Sequence, residues 1–135
     1  MSEQQPPEHI SDDEWLARFV VFGRWVRENG TVRPDAFVPP PDLNLSVTRH
    51  LALSDEQLWA RGADVASARN ANLTGRADLR AAAVRSLSPL NVLEATIAGN
   101  PEHAHIVGWP ADKPSQKMLA QQLAASAKFI PAPSR

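Results

Sequence analysis

His103 and His105 are the residues of this chain whose type and spacing best suit chemistry. They lie one residue apart in Asn100-Pro101-Glu102-His103-Ala104-His105-Ile106-Val107-Gly108-Trp109-Pro110. Side chains alternate between faces along a strand, so on a strand both imidazoles project from one face. Such a pair can grip a metal, hold a phosphate or share a hydrogen-bond network. A metal would need further ligands, for which His50, Glu102 and Asp112 are the candidates. Two-residue His-x-His motifs are common by chance. No cofactor is therefore expected, and a divalent metal on His103 and His105 is the lesser reading.

A metal-free reading uses one imidazole as base, another as acid, and a cation to hold developing charge. His50, His103 and His105 are the acid/base candidates. Arg49, beside His50, suits bidentate anion binding. Lys113 and Lys117 sit at the start of an expected helix, where backbone N–H groups also favour anions. Trp109 can pack, or stack on a base. Each residue also has a structural role open to it: Arg49 can pair with a carboxylate, the lysines can be solvated, and Trp109 can belong to the core. There is no Gly-rich phosphate loop, no HExxH and no GxSxG.

Composition sets the outer bounds. A chain of 135 residues is the size of one domain and buries enough surface to need no covalent staple. Cysteine is absent, which removes disulfides, thiolate metal sites and a cysteine nucleophile, and fits a reducing cytoplasm. Residues 1–14 carry five acids and no base, unlike the basic start of a signal peptide. No apolar run is long enough for a membrane span, so a cytoplasmic protein without membrane contact is expected. The net charge is −1. Arg61, Arg69, Arg76, Arg80 and Arg85 against Asp64 and Asp78 allow a mild basic face, well short of a nucleic-acid footprint.

The elements that must position these residues follow from pattern. Residues 1–10 read as a disordered tail and 131–135 as a second tail around a single domain over 11–130. Ser11 and Glu14 resemble a capping box, and apolar residues from Trp15 to Val26 recur at spacings of three and four. That predicts a helix over 12–22, with a hairpin at Asn29-Gly30 as the competing reading. Val38-Pro39-Pro40-Pro41 is a stiff connector or a proline motif. Strands are expected at Leu43–Leu53, Leu90–Ala98 and Glu102–Val107. Ser54 with Gln57 opens a helix to Ala68, a helix is expected over about Arg76–Leu87, and another starts near Lys113-Pro114.

Ser46-Val47-Thr48-Arg49-His50, Gly75-Arg76-Ala77-Asp78 and the Asn100–Pro110 segment, followed by Lys113 and Gln116-Lys117, resemble a group of small bacterial proteins to which no activity attaches. The likeness spans about residues 15–128. It implies a bacterial cytosolic protein whose polar segments lie near one another, and carries no function with it.

The expected fold is α+β: a small, mainly antiparallel sheet of about three strands covered by three or four helices. Arg49-His50, Glu102–His105 and Lys113–Lys117 should converge on one polar face. The leading functional expectation is recognition of an anionic partner there, whether a nucleotide, a nucleic-acid end or an acidic protein segment. The alternatives are a small nuclease-like hydrolase and a protein-interaction module without a small ligand.

Overall fold

The computed structural model describes residues 6–133. Its centre is a six-stranded antiparallel sheet, not the three-stranded one expected. In chain order the elements are β1 (Trp15–Val20), β2 (Leu45–Arg49), α1 (Asp55–Ala68), β3 (Gly75–Arg80), α2 (Ala81–Arg85), β4 (Asn91–Glu94), β5 (His103–Val107), α3 (Lys113–Ser126) and β6 (Lys128–Pro131). Across the sheet the strands run β4-β5-β2-β1-β3-β6. Two short 3-10 turns, Gly23–Trp25 and Pro34–Phe37, lie between β1 and β2.

The expected helix over 12–22 is instead the strand β1. It pairs with β3 along its whole length, from Trp15 opposite Arg80 to Val20 opposite Gly75. Leu16 and Val20 face one side and Ala17 and Phe19 the other, and all four are buried. A strand covered on both faces loses the polar half of its alternation, so its apolar spacing imitates a helix. The Asn29-Gly30 turn does form: Val26 bridges Val32, and Gly30 takes φ +83°. Ser11 and Glu14 close a turn, with the Ser11 N–H donating to the Glu14 carboxylate at 3.0 Å, but no helix follows.

The helix expected over Arg76–Leu87 is also corrected. Gly75–Arg80 is β3, held by β1 on one side and β6 on the other, and only Ala81–Arg85 is helical. Ala, Leu and Arg favour helix, yet pairing on two edges overrides so weak a preference. Gly75 permits this pairing, because a Cβ there would lie 2.5 Å from the Ile130 carbonyl oxygen. β2 is shorter than Leu43–Leu53, since Leu43 and Leu51 take φ of +60° and +45° and end the extended run on both sides.

Described residues near each end pack onto the domain. Ile10 is 1% exposed, the Pro7 carbonyl accepts a hydrogen bond from Arg49, and Pro131 pairs with Gly75. The rest of the expected tails, residues 1–5 and 134–135, lies outside the described residues.

Each face of the sheet has its own cover. Leu16, Val20, Val47, Leu79, Ala104 and Ile106 form one core with Ala120, Leu123 and Ala124 of α3. On the other face Ala17 and Phe19 pack with Leu58 of α1. The Ser54–Gln57 capping box forms as expected: the Gln57 N–H donates to Ser54 Oγ, and the Ser54 N–H to Gln57 Oε1. Gly62 lets α1 approach β1, since a methyl group there would lie 2.7 Å from the Phe19 ring. Among the described residues no helix is long and apolar enough to cross a membrane.

Candidate functional site

The sheet splits where β1 leaves β2. Their register holds only for Leu16 opposite Arg49 and Ala17 opposite Thr48. The next residue, Arg18, turns its guanidinium into the gap. Nε donates to the Ala36 carbonyl at 2.7 Å and Nη1 to the Ser46 carbonyl at 3.0 Å, while Nη2 has no hydrogen-bond partner among the described residues. The guanidinium carbon lies 5.6 Å from the centre of the Trp25 ring.

A cleft of about 640 Å³ opens at this split. That is the size range of small-molecule sites. One wall is α1, whose Arg61, Asp64, Val65, Ala68 and Arg69 follow the 3–4 spacing of a single helix face. The opposite wall comes from Val38 and Pro40, so part of the proline stretch is a wall of the cleft. Ser46 and Thr48 of β2, His103 of β5 and the Ile97–Asn100 turn complete it.

The cleft carries both signs of charge, with Asp35 and Asp64 lining it alongside Arg18, Arg61 and Arg69. Arg61 is neutralised by Glu102 at 3.0 Å. Among the described residues, Arg18 and Arg69 have no carboxylate within ion-pair distance. Burial, and then the charge of Arg69, push the Arg18 pKa down to about 10, so the group remains a cation at neutral pH. Arg69 stacks over Phe22 at 5.1 Å, with Arg24 over the same ring at 4.6 Å.

His103 and His105 do share a face: they pair with Thr48 and Ser46, and their rings meet edge to face at 4.9 Å. Only His103 lines the cleft. Its Nδ1 is 2.9 Å from the Ala95 carbonyl oxygen. That oxygen can only accept, so Nδ1 carries the proton and Nε2 of the neutral ring keeps its lone pair. His105 is held below the usual imidazole range by burial and by the neighbouring His103, against an opposing pull from Asp42. Among the described residues no group of three or more His, Asp or Glu is arranged to hold a metal.

The other expected site residues lie elsewhere. Arg49 is fully buried, gripping Glu14 through Nε at 2.8 Å and Nη2 at 2.9 Å, with Nη1 on the Pro7 carbonyl. Fully buried, it presents no donor to a partner on the surface. Trp109 is 6% exposed, and its Nε1–H donates to the Ile106 carbonyl, so it is a core residue and not a stacking platform. Lys113 and Lys117 are exposed on α3, which packs on the opposite face of the sheet from the histidines. The expected convergence of Arg49-His50, Glu102–His105 and Lys113–Lys117 on one polar face therefore does not occur.

His50 belongs to a second cluster, on the far side of α1. Its Nε2 lies 3.1 Å from Asp78, whose carboxylate also accepts from Arg76 Nε. Arg76 stacks on Trp59 at 4.6 Å and leaves Nη1 buried without a partner. These groups largely satisfy one another and hold β3 to the end of β2.

Arg18 was the residue hardest to foresee. A lone arginine between Ala17 and Phe19 reads as a solvated strand position, and its use depends on where β1 and β2 part. Arg61 and Arg69 were visible as part of a mild basic face, and their spacing with Asp64, Val65 and Ala68 marks the side of α1 that lines the cleft. No family model matches the chain, and neither the curated proteins nor the solved structures gave a match.

Proposed function

We propose that this domain binds an anionic partner in the cleft at the β1–β2 split, with Arg18 and Arg69 supplying the charge. The observation that carries the reading is Arg18: a half-buried guanidinium that, among the described residues, has no carboxylate within ion-pair distance and one terminal nitrogen left over, with Arg69, likewise without a carboxylate there, lining the same cleft. A charge that has lost part of its water gains from a counter-charge, and an anion in the cleft would supply one. The cleft suits a nucleotide, a nucleic-acid end or the tip of an acidic segment better than a long polymer. The domain then acts as a binding or accessory module. The absence of cysteine supports a cytoplasmic setting, and the motif resemblance a bacterial one.

The hydrolase reading has one observation in its favour: His103, whose ring is held through Nδ1 by the Ala95 carbonyl, lines the same cleft. His50 does not assist there, because Asp78 holds it in the other cluster.

The test is calorimetric titration of inorganic phosphate, AMP, benzoate and a short acidic peptide into wild type, Arg18→Met, Arg69→Ala and Lys113→Ala/Lys117→Ala. Binding of at least one anion that weakens with salt, falls in both arginine variants and survives in the lysine variant supports the reading. Arg69 is exposed, so its variant keeps the test valid if Arg18→Met folds poorly. Absence of anion binding, or binding indifferent to both arginines, overturns it.

A further inference from the structure

We infer that the occupant of the cleft is a small amphipathic acid: an anionic head at Arg18, an apolar body, and a hydroxyl or amine that donates to His103. The inference rests on the anion-binding reading and narrows its ligand class.

Three observations carry it. The cationic end is the Arg18 gap, where Nη2 is unused. The walls beside it are mostly apolar, made by Val38, Pro40, Val65, Ala68 and Ile97. Ile97 is a large aliphatic side chain left 51% exposed at the cleft rim, and an apolar body seated there would cover it. An ion as small as phosphate would leave this surface wet. The third observation is the tautomer of His103. With Nδ1–H donated to the Ala95 carbonyl, a neutral ring keeps an acceptor at Nε2, which makes no hydrogen bond among the described residues, and His103 lines the cleft. An acceptor selects a ligand that carries a donor.

Arg18 and His103 border the same cleft. Ala17 pairs with Thr48, and Thr48 with His103, so Arg18 lies two strands from His103 and one residue along. A long polyanion would use only the Arg18 end and has no need of the apolar walls.

Titration calorimetry with benzoate, its 2-, 3- and 4-hydroxy derivatives and inorganic phosphate tests this in wild type, Arg69→Ala, His103→Phe and Ile97→Ser. The expected result is that one hydroxybenzoate binds roughly three- to tenfold tighter than benzoate, the worth of one neutral hydrogen bond. His103→Phe should erase that difference while benzoate still binds. Ile97→Ser should weaken all the aromatic acids but not phosphate. If phosphate binds as well as the aromatic acids, or no hydroxyl improves on benzoate in wild type, the ligand class is wrong while anion binding stands. If no acid and no phosphate binds, or binding ignores Arg69→Ala, the anion-binding reading fails and this inference with it.

Discussion

Glu14→Ala should be among the most damaging single changes outside the apolar core. Arg49 is fully buried and the Glu14 side chain only 12% exposed. The carboxylate accepts from Nε and Nη2 of Arg49 at 2.8 and 2.9 Å. Removing one partner of a buried pair costs about 3–5 kcal/mol, because the other is left charged and uncompensated. Glu14 touches solvent, so water can partly replace it, and the low end of about 3 kcal/mol applies. With an unfolding entropy of about 2.1 cal/mol/K per residue over 135 residues, that corresponds to a fall of about 10 °C in Tm. Replacing both partners, Glu14→Leu with Arg49→Met, should recover much of the loss, because no charge remains to be stranded. Acid probes the same pair. Burial raises the Glu14 carboxyl, but the Arg49 hydrogen bonds, the Ser11 N–H and the Arg49 charge together outweigh it and hold it below its usual 4.5. A carboxyl depressed by folding contributes stability above its unfolded value and loses it as pH falls through the folded one. Wild type should therefore lose Tm more steeply below about pH 4.5 than Glu14→Gln. The assay is differential scanning calorimetry of the three variants across pH. A Glu14→Ala protein within about 2 °C of wild type at neutral pH would refute the reasoning.

Three further outcomes follow. Gly62→Ala should destabilise, although alanine favours helix by up to about 1 kcal/mol, because the methyl would lie 2.7 Å from the Phe19 ring and overpacking costs about 1–3 kcal/mol; urea unfolding gives the sign. Gly75→Ala should release β6, since the added Cβ would meet the Ile130 carbonyl, and amide exchange at Ile130 and Ala132 should quicken while that of β5 is unchanged. His105 should titrate below the usual 6.5, seen by NMR at its ring protons. The sign is that of a base depressed by folding: protonation favours the unfolded chain, so its contribution is unfavourable as pH falls below 6.5, and His105→Gln should flatten that part of the stability profile.

What could be read from the sequence was what local chemistry decides. The Ser54–Gln57 box, the Gly30 turn and the shared face of His103 and His105 depend on neighbours a few residues away, and all three are present. What escaped was decided at a distance. β1 is buried on both faces, which removes the alternation that marks a strand. β3 is written in helix-favouring residues and is a strand only because β1 and β6 flank it. Arg49 drew attention as an anion ligand because its partner, Glu14, lies 35 positions earlier behind what read as a helix cap. Lys113 and Lys117 fell away for a topological reason: α3 covers one face of the sheet and the histidines occupy the other. Of the residues lining the cleft, His103 was a candidate in the sequence, and Arg61 and Arg69 stood only within a mild basic face. The residue that gives it meaning, Arg18, needed the point at which two strands part.

The most direct test of anion binding at the split is NMR of the arginine side-chain Nε–H groups during titration with benzoate and, separately, inorganic phosphate. The account predicts that Arg18 and Arg69 shift in a saturable way, while Arg49, locked onto Glu14, and the backbone amides of Lys113 and Lys117 stay in place. Shifts confined to the α3 lysines, or no saturable shift at Arg18 with either anion, would contradict it.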